Sequence, residues 1–262
     1  MTKQRLDLLL AERGLAESRE QARRLIMAGR VTVNGATADK AGHRFETDAA
    51  VAVSAPPRFV SRGGEKLEAA FERFGLQVAG LICLDVGSST GGFTDCLIQH
   101  GAAAVYAVDV GRGLLHARLR EDPRVTVLEG INARHLRAED LPGVPRFAVL
   151  DVAFISLTKV LPAVTAILPA GAGLVTLIKP QFEAGRRQVM RGGVVRDPAV
   201  RAEVVARVRA FGESKLGLAW LADCASPVIG PAGNVEWLAY WRAPGRGETA
   251  TDDGERREAR PA

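Results

Sequence analysis

The run Asp85-Val-Gly-Ser-Ser-Thr-Gly-Gly-Phe93 limits the folds open to this chain more than any other stretch. It follows an apolar segment, residues 81–86, and precedes a helical pattern over residues 94–100. Strand, glycine turn, helix is the unit with which doubly wound α/β folds receive nucleotide-like ligands, at the carboxyl edge of the sheet. Gly87, Gly91 and Gly92 are read as the positions that let the backbone approach such a ligand, with Ser88, Ser89, Thr90 and Phe93 alongside. No Lys-Ser/Thr follows the last glycine, which excludes a Walker-type phosphate loop. The next apolar strand ends in Asp109, 24 residues after Asp85, the place from which an acid accepts hydrogen bonds from ribose hydroxyls.

Further apolar runs at 104–108, 125–128, 147–150 and 173–178 alternate with helical stretches, the signature of a parallel sheet with crossover helices. Asp197-Pro198 is an N-cap followed by proline at the first helical position. The ending differs. Residues 218–229 and 235–240 read as strands joined by the short segment 230–234, too short for a crossover, so this pair is expected to be antiparallel. NAD and S-adenosylmethionine sites share the glycine-turn plan; a reversed terminal strand favours the methyltransferase version of the fold over a dehydrogenase. Asn132 follows the third strand, where many methyltransferases place an acid for the adenine amino group.

The first sixty residues have another texture. Residues 5–13 are helical and stop at Gly14; Ser18 caps a second helix, with Gln21 three positions on, and Gly29 ends it. Val31-Thr-Val-Asn-Gly35 is a strand running into a hairpin turn, and a further strand covers 49–53 before Pro56-Pro57. Residues 1–60 hold ten Lys/Arg against seven acids, a net of +3 out of the chain's formal +5. Arg19 and Arg23 share one helix face, with Arg5, Arg24 and Arg30 nearby, a distribution that suits phosphate contacts to structured RNA. With only Phe45 and Phe59 as aromatics there, stacking on single strands is not expected. A second basic group, Arg186, Arg187 and Arg191, lies in a Gly-rich loop and is a candidate clamp on the same polyanion.

Composition excludes several classes. No apolar run reaches the roughly 18–20 residues of a spanning helix, and residues 1–10 lack a secretory apolar region. Three cysteines form no CxxC pair and suit a reducing cytoplasm, and the four histidines have no ligand spacing, so no metal site is expected. The organisation expected is a small α+β domain over 1–57, a linker over 58–64, an α/β domain over 65–243 and a disordered tail over 244–262.

Ser61-Arg-Gly-Gly-Glu-Lys-Leu67, Asp85 through Asp95, Lys179-Pro-Gln-Phe-Glu183 and Gly233-Asn-Val-Glu236, in this order, resemble the TlyA (haemolysin A) group of FtsJ-like ribosomal RNA methyltransferases. The N-terminal sixty residues are similar to the alpha-L RNA-binding module. The resemblance spans about residues 3–243. It implies a Rossmann-like class I methyltransferase with a mostly parallel seven-stranded sheet and a reversed final strand, behind a small α+β RNA-binding domain. It also implies S-adenosylmethionine as cofactor and ribosomal RNA, within ribosomal subunits, as partner. The family's Lys–Asp–Lys–Glu tetrad falls on Lys66, Asp151, Lys179 and Glu236 as the catalytic set, with Asp85, Gly87–Phe93, Asp109 and Asn132 as the cofactor set. Asp151 and Lys179 each follow an apolar strand and Glu236 opens the reversed one, so all three belong at one sheet edge. Lys179 is expected to orient the 2′-hydroxyl and act as its general base. Ala153 departs from the family pattern, which has serine there. The rival expectations are an NAD-dependent oxidoreductase, a non-enzymatic ribosome-assembly module and a membrane-active haemolysin.

Overall fold

The computed structural model describes residues 2–55, 57–185, 187–230 and 232–245, and the chain divides into two compact units between Arg58 and Phe59. The first contains β1 (Lys3–Arg5), α1 (Leu6–Glu12), α2 (Arg19–Met27), β2 (Val31–Val33), β3 (Ala36–Thr37), β4 (Arg44–Glu46) and β5 (Val51–Val53). Leu6, Leu10, Ala22, Ile26, Val31 and Val33 close its core. Ser18 Oγ accepts from the Gln21 amide at 3.2 Å, and the Gln21 side chain in turn accepts from the Glu17 amide, fixing the α2 N-terminus. Asn34 and Gly35, at φ 51° and 80°, make the left-handed pair that folds β2 onto β3. Strand β2 is central in an antiparallel sheet of order β3-β2-β5, and β1 pairs with β4. Strands β1 and β4 were not expected, because neither three-residue segment carries an alternating apolar pattern.

The second unit holds α3 (Gly63–Phe74), β6 (Ile82–Val86), α4 (Gly92–Gln99), β7 (Ala104–Asp109), α5 (Ala117–Arg120), β8 (Val125–Glu129), β9 (Phe147–Leu150), α6 (Leu161–Ile167), β10 (Gly173–Ile178), α7 (Pro180–Glu183), α8 (Pro198–Leu216), β11 (Ala219–Ala225) and β12 (Trp237–Arg242). Its seven strands lie in the order β11-β12-β10-β9-β6-β7-β8. Strand β12 runs against both neighbours and the other described pairings are parallel. The order turns at β6 and β9, so the loops after these two strands flank the crevice where ligands bind in such sheets. Alternate residues feed opposite layers: Leu84, Ala148, Leu150 and Leu174 pack with α6 and α8, while Cys83, Val149, Val175 and Leu177 pack with α3 and α4.

Two boundaries differ from the sequence reading. The segment 58–64 is no linker beyond Arg58: Phe59 is 4% exposed in the core, and its ring occupies the space a Gly64 Cβ would take, 2.2 Å away. The penultimate strand ends at Ala225 rather than 229, and the connection to β12 spans residues 226–236. The tail expected over 244–262 lies outside the described residues from position 246 on. Among the described residues, no helix is long and apolar enough to cross a membrane.

Candidate active site

Four charged side chains assemble at the carboxyl edge of the sheet. Asp151 leaves β9, Lys179 leaves β10, and Glu236 enters β12, whose first residue Trp237 pairs with Ile178. Lys66 reaches the same place from the first turns of α3. They form two ion pairs, Lys66 Nζ to Glu236 Oε2 at 2.6 Å and Lys179 Nζ to Asp151 Oδ1 at 2.6 Å. The first pair is nearly closed to solvent, with Lys66 8% and Glu236 1% exposed. Gly230 has to be small here, since a Cβ would stand 2.8 Å from Glu236 Oε1.

All four line one cavity of about 310 Å³, together with Ser61, Arg62, the glycine turn, Val228 and Ile229. A second cavity of about 470 Å³ lies between the ends of β6, β7 and β9, walled by Val108, Val110, Leu114, Ile131 and Val160, with Asp109 and Asn132 on its rim. Gly87, Ser89, Asp151 and Ala153 belong to both cavities. A molecule in one therefore faces a molecule in the other across Asp151. An apolar slot with a carboxylate at its side fits a flat base carrying a diol.

The residues expected to hold a cofactor separate into three roles. Gly87, Ser89, Asp109 and Asn132 line the second cavity. Asp109 is fixed there, its Oδ2 accepting from the Ser89 amide at 2.8 Å and its Oδ1 from the Gly111 amide at 2.7 Å. Asn132 Oδ1 accepts from the Arg134 amide as a cap, which leaves its second lone pair for an adenine amino group. Ser88, Thr90, Gly92 and Phe93 face the first cavity instead.

Asp85 and Gly91 line neither cavity. Asp85 is fully buried beneath the turn, its Oδ2 accepting from Thr94 Oγ1 at 2.6 Å. Burial pushes its carboxyl up to about 7, against the Thr94 hydrogen bond. Gly91, at φ 96°, leaves room for Leu119, and a Cβ on Gly92 would lie 2.7 Å from the Gly64 amide nitrogen. Close packing of α4 against its neighbours requires glycine at both positions, and Gly92 lines the first cavity as well. Gly87 serves the seam itself, with Asp151 O 2.5 Å from its absent Cβ.

Two positioning residues escaped the sequence reading, although their motifs were quoted. Glu183 accepts from Ser156 Oγ and from the Leu157 amide, both at 2.6 Å, and so ties down the loop that carries Asp151. Asn234, 1% exposed, accepts from the Val195 amide and donates to Gly193 O at 2.8 Å, pinning the Gly-rich loop to the β12 entry. Their signal was polarity inside motifs otherwise assigned to chemistry.

The basic groups also sort differently. Arg5, Arg19 and Arg23 converge on the buried carboxylate of Asp7, with nearest contacts of 3.0, 2.9 and 3.7 Å. Arg5 leads in holding that carboxyl down to about 2 against the effect of burial. Three guanidinia on one carboxylate leave a fixed, half-exposed cationic cluster, so these side chains are first structural and only their outer edges are available. Arg30 is committed to Ser54 O, whereas Arg24 is exposed on α2. Arg187 is exposed and Arg186 lies outside the described residues.

Comparison with known proteins agrees with this architecture. The FtsJ-like methyltransferase family matches residues 59–243 and the S4 domain matches residues 4–51. The 16S/23S rRNA (cytidine-2′-O)-methyltransferase TlyA of Mycobacterium tuberculosis is 48% identical over 240 residues, 91% of this chain and 89% of that protein. Hemolysin A of Brachyspira hyodysenteriae is 41% identical over 246 residues, 90% of this chain and 99% of its own. The solved structure described as "Putative hemolysin from Streptococcus thermophilus" superposes with a TM-score of 0.72 at 44% identity, covering 93% of this chain and 90% of that one.

Proposed function

The chain belongs to the FtsJ-like methyltransferase family, and we propose that it methylates ribose 2′-hydroxyls of ribosomal RNA, cytidine in particular, using S-adenosylmethionine. The observation that carries the reading is the seam between the two cavities, where Asp151 borders both and Lys179 stands 2.6 Å from it. S-adenosylmethionine, when bound, supplies an electrophilic methyl group on a sulfonium. Asp109 would hold its ribose, the apolar wall of Val108, Val110, Ile131 and Val160 its base, and Gly87 and Ser89 the end nearest the seam.

The chain's own residues then prepare the acceptor in the first cavity. Asp151 holds the Lys179 amine in place, and that amine, once its ion-pair proton has passed to Asp151 or to solvent, orients the 2′-hydroxyl and accepts its proton as the oxygen takes the methyl group. The Lys66–Glu236 pair lines the same cavity and limits where the ribose can sit. Alignment of this kind is worth on the order of 7–11 kcal/mol of a bimolecular barrier. The S4-type unit docks on the RNA through Arg24 and the outer edges of the Asp7-anchored cluster, with Arg187 as a further contact. The name carried by the Mycobacterium tuberculosis relative supports the cytidine 2′-hydroxyl as the target, and a ribosomal substrate supports a cytoplasmic location.

The test is methylation of purified small and large ribosomal subunits, each alone, by wild type and Lys179→Ala. The expected result is incorporation by wild type on at least one subunit and a loss of about 10²–10⁴-fold in the variant. Equal incorporation by both proteins removes Lys179 from the chemistry. In equilibrium binding, S-adenosylmethionine should bind and a nicotinamide cofactor should not.

A further inference from the structure

Away from the seam, α3 and α4 bring three different donor side chains to one point. Cys96 and His100 lie one turn apart at the end of α4, and Glu68 faces them from α3. Their donor atoms all fall within 4.8 Å of one another. His100 Nε2 is 2.7 Å from Glu68 Oε2, and Cys96 Sγ is 3.7 Å from the same oxygen. The imidazole is held flat on the Phe71 ring, centroids 3.7 Å apart and 7° from parallel, so its direction is set by the core. Cys96 is fully buried, and the His100 side chain is 28% exposed. The thiol therefore closes the inner side of the cluster and the imidazole edge opens toward solvent.

From this arrangement we infer a divalent zinc-class metal site formed by Glu68, Cys96 and His100, with water as the fourth ligand on the solvent side. Thiolate, imidazole and carboxylate are the donor set that a borderline-soft, tetrahedral ion takes, and a Cys-x₃-His spacing puts two donors on one side of a helix. Metal–ligand distances of about 2.0–2.3 Å put ligand atoms about 3.3–3.5 Å apart in a tetrahedron. The thiol already stands near that distance from Glu68. The Glu68–His100 contact would open slightly as the shared proton gives way to the ion, and binding would release protons and tighten as pH rises. Sequence spacing among the histidines gave no hint of this, because one ligand is a cysteine and another comes from a different helix. An ion here joins α3, which carries Lys66, to α4, which begins in the glycine turn. It would act as a structural clamp and does not depend on the proposed reaction.

The probe is Co²⁺ alone, titrated into the metal-free full-length protein, followed by Zn²⁺ displacement. The expected result is a thiolate-to-cobalt charge-transfer band that saturates near one equivalent and disappears on adding zinc. Cys96→Ser should abolish the band, and Glu68→Gln and His100→Ala should weaken cobalt binding at least tenfold, while Cys224→Ser should leave the band unchanged. Because the wild-type titration needs no variant to fold, absence of the band there overturns the inference. So does a band that survives Cys96→Ser. A zinc-induced rise in melting temperature in wild type, lost in His100→Ala, supports the clamp; an equal rise in both proteins counts against it.

Discussion

The Lys66–Glu236 pair allows a sharp quantitative test, because both partners are almost fully enclosed and lie 2.6 Å apart. Removing one member of a buried pair strands the other charge, which typically costs about 3–5 kcal/mol, against about 0–1 kcal/mol for an exposed pair. Lys66→Met alone and Glu236→Leu alone should each fall in the higher range. The double variant replaces both charges with apolar groups of similar size and should return to within about 2 kcal/mol of wild type. Urea unfolding followed by tryptophan fluorescence is the assay, since Trp220, Trp237 and Trp241 are the chain's three tryptophans and all lie in the second unit. At a slope of about 2 kcal/mol/M, a loss of about 4 kcal/mol moves the midpoint by about 2 M. The folded double variant should nevertheless lack methyl transfer, which would assign the pair to the reaction. Single variants costing under about 1 kcal/mol, or a double variant as unstable as the two singles summed, would refute the reasoning.

Further outcomes follow from other contacts. Asp85 holds a proton up to about pH 7 when folded, against an ordinary value of 3.8, so the folded state binds more protons between these values. Stability should therefore fall as pH rises through that window, by on the order of 4 kcal/mol, and Asp85→Asn should flatten the profile; a wild-type profile level from pH 4 to 7.5 contradicts this. Gly92→Ala sets a methyl 2.7 Å from the Gly64 nitrogen and should cost about 1–3 kcal/mol by thermal unfolding, with an unchanged melting curve as the contrary result. Arg24→Ala should lower the slope of log affinity for ribosomal subunits against log salt by about 0.7–0.9. An unaltered slope would take Arg24 out of the RNA contact.

Much of the candidate site's placement was legible in the sequence because it depends on where strands end. Asp151, Lys179 and Glu236 each adjoin an apolar run, and a parallel sheet with one reversed strand brings such positions to one edge whatever the details of packing. The glycine turn was legible for the same reason, but the purpose of each glycine was not. Gly91 and Gly92 answer to Leu119 and to the α3 backbone, neighbours that only the folded chain defines. Arg19 and Arg23 looked like a phosphate face because helix spacing shows which residues are adjacent, not which buried carboxylate lies under them. Strands β1 and β4 were invisible, since three-residue segments that are mostly charged are too short to show a periodicity.

In the proposed reaction, a methyl group passes across the seam between the two cavities to a ribose oxygen of RNA. Its most direct test is mass spectrometry of nucleosides digested from ribosomal RNA after reaction with isotopically labelled S-adenosylmethionine. Label is expected in 2′-O-methylcytidine, present with wild type and lost with Lys179→Ala. Label on a nucleobase, or equal label from both proteins, would contradict it.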